Sequence, residues 1–115
     1  LDGARLIGLQ KMAARVHVAP PLLEYMETVV RATREHAGVS LGVSTRGAVA
    51  WYRACQACAL IEGRGFVIPD DATRLAGPVL AHRLVLRGRP AQEPGSREAQ
   101  ESVVADILRG IPLPL

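Results

Sequence analysis

The chain is nearly devoid of lysine: Lys11 is the only one among 14 basic residues, and the other 13 are arginine. That scarcity excludes chemistry at once. A phosphate-binding loop of the form G-x-x-x-x-G-K-[ST] needs a lysine directly behind a glycine-rich turn, whereas Lys11 lies in Leu9-Gln10-Lys11-Met12. A Schiff-base enzyme would have only that same residue, within what reads as a plain helix. Cysteine is short as well, and two residues, Cys55 and Cys58, cannot build a disulfide scaffold. The three histidines, His17, His36 and His82, stand far apart and lack metal-ligand spacing. Aromatics are limited to Tyr25, Trp51, Tyr52 and Phe66, so a net charge of +3 comes without the aromatic interleaving of nucleic-acid surfaces. No run approaches the ~18 apolar residues of a membrane span. No basic start leads into a long apolar run of the signal-peptide kind.

What is present suits one globular domain. The length is 115 residues, with 49% apolar and 22% charged. A chain of this size buries about two-thirds of its unfolded surface and can hold one modest core. The first residue is Leu1 rather than Met, and the chain reads as a fragment of something longer.

Apolar side chains at Leu6, Ile7, Leu9, Met12 and Ala13 predict a short helix over 3–13. Pro20 and Pro21 open a second helix, because proline fits a first turn. Leu22, Met26, Val29, Val30 and Thr33 make its inner stripe, and Glu24, Glu27, Arg31 and Arg34 its outer side. Glu27 and Arg31 have the favourable i to i+4 order, worth about 0.3 kcal/mol. The helix is expected to run to Ala37 and stop at Gly38. A loop follows over 39–43, and Ser44 has the chemistry of a helix cap. From Ala48 to Ile61 the next helix is small or apolar nearly all round, interrupted by Arg53 and Gln56, which predicts a central, buried element. The glycines of Glu62-Gly63-Arg64-Gly65 end it. Pro69-Asp70-Asp71 starts a fourth helix with two acids in the first turn. Leu75 and Ala76 are expected to face inward, and Pro78 to break or restart the helix before His82. Leu84-Val85-Leu86 reads as extended, 87–97 as turn-rich, and 97–109 as a last helix ended by Gly110 and Pro112. The fold class is therefore all-α, about five helices, with a short extended segment near 84–86.

Few residues stand out for chemistry. Cys55-Gln56-Ala57-Cys58 puts two sulfurs on one helix face, but zinc needs two further ligands. A redox pair would sit at a helix start rather than mid-helix. Packing as small hydrophobes is the reading that fits. Asp70 and Asp71 read as helix-start acids rather than a metal pair. Arg46 is different. At the second position of the helix capped by Ser44, a cation opposes the positive end of the helix dipole at a cost of ~0.5 kcal/mol. It also lies where free backbone N–H groups collect anions, which suggests a phosphate or carboxylate partner.

At this point the sequence resembles a known family. Tyr25 and Val29-Val30-Arg31-Ala32-Thr33-Arg34, then Gly42-Val43-Ser44-Thr45-Arg46-Gly47-Ala48, then Ala59-Leu60-Ile61-Glu62-Gly63-Arg64 and Val67-Ile68-Pro69-Asp70-Asp71 follow one another in order. Pro78-Val79-Leu80-Ala81-His82-Arg83-Leu84 and Ile111-Pro112-Leu113-Pro114 complete the series. Together they are similar to the C-terminal helical lid domain of the MoxR branch of AAA+ ATPases, spanning 1–115 as a single lid domain. Three positions depart: Thr45 stands where proline is usual, Gly47 where alanine is usual, and Ile68 where a capping threonine is common.

The resemblance implies a lid and sensor-2 module, with no catalysis in the fragment itself. It implies that Arg46 reaches the γ-phosphate of ATP, supported by Gly42 and Ser44. A separate α/β core, absent here, would carry the Walker loops and bind Mg. The implied partners are that core, neighbouring subunits of a ring oligomer in a chaperone-like machine, and von Willebrand A-type proteins, in the cytoplasm, with no membrane and no nucleic acid. Two readings from other classes stay open: a basic helical DNA-binding domain, and a protein-interaction module using the helix of 97–109. The first would need a polar recognition helix after a tight turn, and the helix after Ser44 is too apolar for that.

Overall fold

A computed structural model describes residues 2–90 and 93–114. Their elements run α1 (Gly3–Ala14), α2 (Pro20–Glu35), β1 (Val39–Leu41), α3 (Thr45–Ile61), α4 (Pro69–Leu80), a 3₁₀ turn (Ala81–Arg83), β2 (Val85–Leu86) and α5 (Ser96–Arg109). The fold is mostly helical, as the composition and periodicity indicate. The stretch expected to be turn-rich, 87–97, includes Ala91 and Gln92, which lie outside the described residues.

α3 is the hub. It packs against α4, α1 and α2, while α5 closes the other side against α2, α4 and the 3₁₀ turn. The core gathers Val29, Val43, Trp51, Cys55, Ala59, Ala72, Leu80 and Leu84, with Val104 from α5. Two polar side chains inside it have partners. Trp51 donates its indole N–H to the Ala72 carbonyl at 3.0 Å. Gln56, expected as a polar interruption, is buried and donates to the Val16 carbonyl at 2.9 Å, which ties α3 to the segment after α1. α3 is less enclosed than its composition suggests, since Ile61 at its end is 85% exposed.

α2 buries the expected stripe of Leu22, Met26, Val29, Val30 and Thr33, together with Tyr25. It ends at Glu35, two residues before the expected stop, because the His36 ring accepts the Gly38 N–H at 2.9 Å and turns the chain. Glu27 and Arg31 form no ion pair; both are exposed, where such pairs are worth little. α1 buries none of its residues, and Leu6, Ile7, Leu9 and Met12 are about half exposed.

Other features differ from the sequence reading or qualify it. Val39–Leu41 is a strand rather than a loop, pairing antiparallel with β2 in the register Val39 to Leu86 and Leu41 to Val85, with an irregularity between. Pro78 does not break α4, which continues to Leu80. Pro78 lies on the exposed side, and the tightening comes after it as the 3₁₀ turn at Ala81–Arg83. Ile68 offers no side-chain cap, yet α4 is still capped, because the Asp71 carboxylate accepts the Ile68 N–H at 2.9 Å. That is half of a capping box.

Candidate functional site

The start of α3 is built in three steps. Ser44 is the cap: its Oγ accepts the Gly47 N–H at 3.2 Å, and its carbonyl accepts the Ala48 N–H at 2.9 Å. Val43, immediately before it, is fully buried, and the last turn of α2 grips both of its backbone groups. The Val43 N–H donates to Thr33 Oγ1 at 3.0 Å, and Arg34 Nε donates to the Val43 carbonyl at 2.9 Å. Gly42 lies so close to α2 that a β-carbon there would fall 2.7 Å from the Arg34 backbone nitrogen and Cα. Only glycine lets the two segments meet at this distance.

Arg46 occupies the second position of α3, exposed, with no acidic residue in that first turn. It forms no hydrogen bond or ion pair with any described residue. Gly42, Ser44 and Arg46 thus sit on one short, tightly held stretch. The cleft beside it measures about 610 Å³, and its lining includes Arg34, Gly42, Ser44, Thr45 and Arg83, without a carboxylate. A second cleft of about 320 Å³ between α2 and α3 is lined by Met26, Val30, Trp51 and Tyr52, with Arg31 on its rim. Arg34 and Thr45 line both clefts. Arg34 and Arg83 each spend Nε on a backbone carbonyl, of Val43 and Val79 respectively. This fixes two cations beside the N-terminus of α3, where unpaired N–H groups already favour anions.

Gly47 is explained by the same geometry. A β-carbon there would stand 2.9 Å from Val43 Cγ1 and 3.0 Å from Arg83 Cδ. The space a usual alanine would fill is taken by the Arg83 stem. Glycine's lower helix propensity, about 1 kcal/mol, accompanies that close packing.

Of the side chains considered for chemistry, Cys55 is buried as expected, and burial, aided by the nearby Asp71 charge, pushes its thiol up to about 12. Cys58 is not a core residue. It is partly exposed, and its sulfur lies 2.9 Å from Arg74 Nη2 and 3.9 Å from both Asp71 Oδ1 and Glu62 Oε1. Asp70 is exposed, whereas Asp71 is fully buried beneath Arg64, whose Nη1 and Nη2 each contact it at 2.8 Å. Arg64 also reaches Glu62, and Arg74 lies 3.3 Å from both Glu62 and Asp71. Burial alone would raise the Asp71 carboxyl; the hydrogen bonds from Arg64 and Ile68 and the charges of Arg64 and Arg74 outweigh it and hold the group below the usual carboxylate range. The arrangement joins the end of α3 to the start of α4. Of the histidines, His36 reaches Asp106 at 3.2 Å, linking the end of α2 to α5.

Five helices with a two-stranded link, packed around α3, form a small helical domain of the lid type. The chain belongs to the AAA lid domain family, which it matches over residues 31–107. Two of its relatives are MoxR proteins. Protein MoxR of Paracoccus denitrificans is 34% identical over 93% of this chain and 36% of its own length. Chaperone MoxR1 of Mycobacterium tuberculosis is 35% identical over 99% of this chain and 32% of its own length. The uncharacterised protein YeaC of Bacillus subtilis is 38% identical over 95% and 33%. The chain therefore spans about a third of the length of the curated relatives it matches. A crystal structure from Cytophaga hutchinsonii, of a protein assigned as an ATPase, superposes with a TM-score of 0.77 at 25% identity, over 91% of this chain and 34% of that one. Among the described residues, no helix is long and apolar enough to cross a membrane.

Proposed function

We propose that this lid covers ATP held by an α/β core elsewhere in the same polypeptide, with Arg46 as the sensor that meets the γ-phosphate. The observation that carries the reading is an exposed arginine, without a partner among the described residues, on the first turn of a helix whose start is clamped from outside. A cation there is unfavourable until an anion arrives. Phosphoryl transfer needs little covalent help, so fixed positive charge over the transferring group is the contribution a lid can make. Gly42 and Ser44 support Arg46 by fixing where α3 begins. No carboxylate lines the cleft at that point, so its donors suit phosphate oxygens, and Mg falls to the core.

In this reading, hydrolysis removes the partner of Arg46 and releases the lid to rotate, which passes the nucleotide state to neighbouring subunits of a ring. Chaperone-like work in the cytoplasm, alongside a von Willebrand A-type partner, follows from the same family reading. The two other classes fit less well. α3 is packed on α1, α2 and α4 and cannot enter a DNA groove, and α5 spends Val104 and Ile107 on its own core.

The reading is tested by assaying residues 1–115 alone. The purified domain is expected to show no Mg-dependent ATP hydrolysis above a mock preparation. Turnover that survives repurification would place catalysis in the lid and overturn the assignment.

A further inference from the structure

Resting on the sensor reading of Arg46, we propose that Thr33 and Arg34 are its positioning residues: together they fix the peptide from which the sensor helix starts. Thr33 is 1% exposed and its hydroxyl has two roles at once. It donates to the Val30 carbonyl at 2.6 Å, which fixes the proton and leaves a lone pair for the Val43 N–H. Arg34 takes the other side of the same residue through Nε. A buried valine backbone between a helix and a cap is thus held by side chains of α2 rather than by its own helix. Gly42 closes the remaining freedom by steric contact.

The path from this clamp to Arg46 is short. Ser44 follows Val43 directly and is locked by its bonds to Gly47 and Ala48, so no free hinge residue intervenes. Helix starts are otherwise places of fraying, with four N–H groups lacking partners inside the helix. Charge stabilisation of a transition state requires the donor to be in place before reaction, within about 0.5 Å. The clamp supplies that placement. It also makes the end of α2 and the start of α3 move together, so Arg46 follows α2 when the lid rotates.

The experiment is a double-mutant cycle in the full-length protein, reading kcat and KM for ATP, with thermal melting as a check on folding. Thr33→Val keeps the shape and removes both hydroxyl bonds. It is expected to lower kcat at least about fivefold with KM changed less than about twofold, while Thr33→Ser stays near wild type. In an Arg46→Ala background, Thr33→Val is expected to lower kcat no further, because its effect runs through Arg46. Arg34→Met, an exposed change that spares the core, is expected to lower kcat at least about twofold and to lose that effect in the same background. It carries the test if Thr33→Val fails to fold. If Arg46→Ala slows turnover but the α2 variants do not, or if their effects multiply with it, the positioning proposal is wrong and the sensor reading stands. If Arg46→Ala itself has no effect, both fall.

Discussion

Replacing Arg46 by alanine in the full-length protein is expected to lower ATP turnover at least tenfold, and about a hundredfold if the whole contact is lost, since one charge-assisted transition-state contact is worth roughly 3 kcal/mol. Binding should suffer less. Most contacts to the triphosphate would lie in the core, and an interaction made chiefly in the transition state appears in kcat rather than in KM. The substitution should also cost the fold little. Arg46 is exposed and unpaired, so removing it breaks no bond within the described residues. It also removes a cation from the positive end of α3, which favours the helix slightly. The control is Arg53→Ala, further along the same helix and likewise exposed, which should leave turnover nearly unchanged. Stopped turnover with intact nucleotide binding and an intact melt would separate a sensing role from a structural one.

The largest effect on stability is expected at the opposite end of α3. Arg64→Met leaves the Asp71 carboxylate fully buried with the Ile68 N–H and one long cationic contact, to Arg74, in place of the two-pronged Arg64 pair. Breaking one side of a buried ion pair is far costlier than removing both, because the remaining charge stays desolvated. The melting temperature should fall by roughly 10 °C. Asp71→Asn should cost less, since Arg64, with 19% of its side chain exposed, can turn to water, and the double variant should be more stable than Arg64→Met alone. Independent, additive losses would show that the pair is not coupled. The pH dependence has a definite sign. Asp71 is held below its unfolded value, so its contribution is complete above that value, near pH 4, and is lost as pH falls through the lower folded one. The gap in melting temperature between wild type and Asp71→Asn should therefore narrow on acidification below about pH 4. A gap constant from neutral pH to pH 2 would contradict the charge account.

Much of the helical scaffold can be read from local pattern. α2 shows its stripe and its paired prolines, and α3 its serine cap and glycine stop, because each signal lies within one or two turns of the element it defines. β1 could not be read that way. Three residues, Val39–Leu41, are too few for alternation to register, and their partner lies some 45 residues on at Val85 and Leu86. Pro78 misleads for another reason: proline signals a break, but on an exposed helix side near the end its ring is accommodated without one.

The candidate site divides along the same line. Ser44 as cap and Arg46 at the second helical position are visible in sequence because both depend on local spacing alone. The roles of Thr33, Arg34, Gly42 and Gly47 are not, since each depends on an approach between α2, α3 and the 3₁₀ turn that only the folded chain creates. Arg64 and Asp71 show the same limit. The acids of Asp70-Asp71 look equivalent in sequence, yet one is exposed and the other is sealed under a guanidinium. A buried acid in a first turn can be anticipated only by locating the arginine seven residues before it, across a glycine turn.

The most direct test is an experimental structure of the full-length protein bound to a non-hydrolysable ATP analogue with Mg. The guanidinium of Arg46 is expected within about 3 Å of a γ-phosphate oxygen, with the Thr33–Val43–Arg34 bonds intact. If Arg46 instead points to solvent while another cation of the lid or core holds the γ-phosphate, the sensor assignment is contradicted.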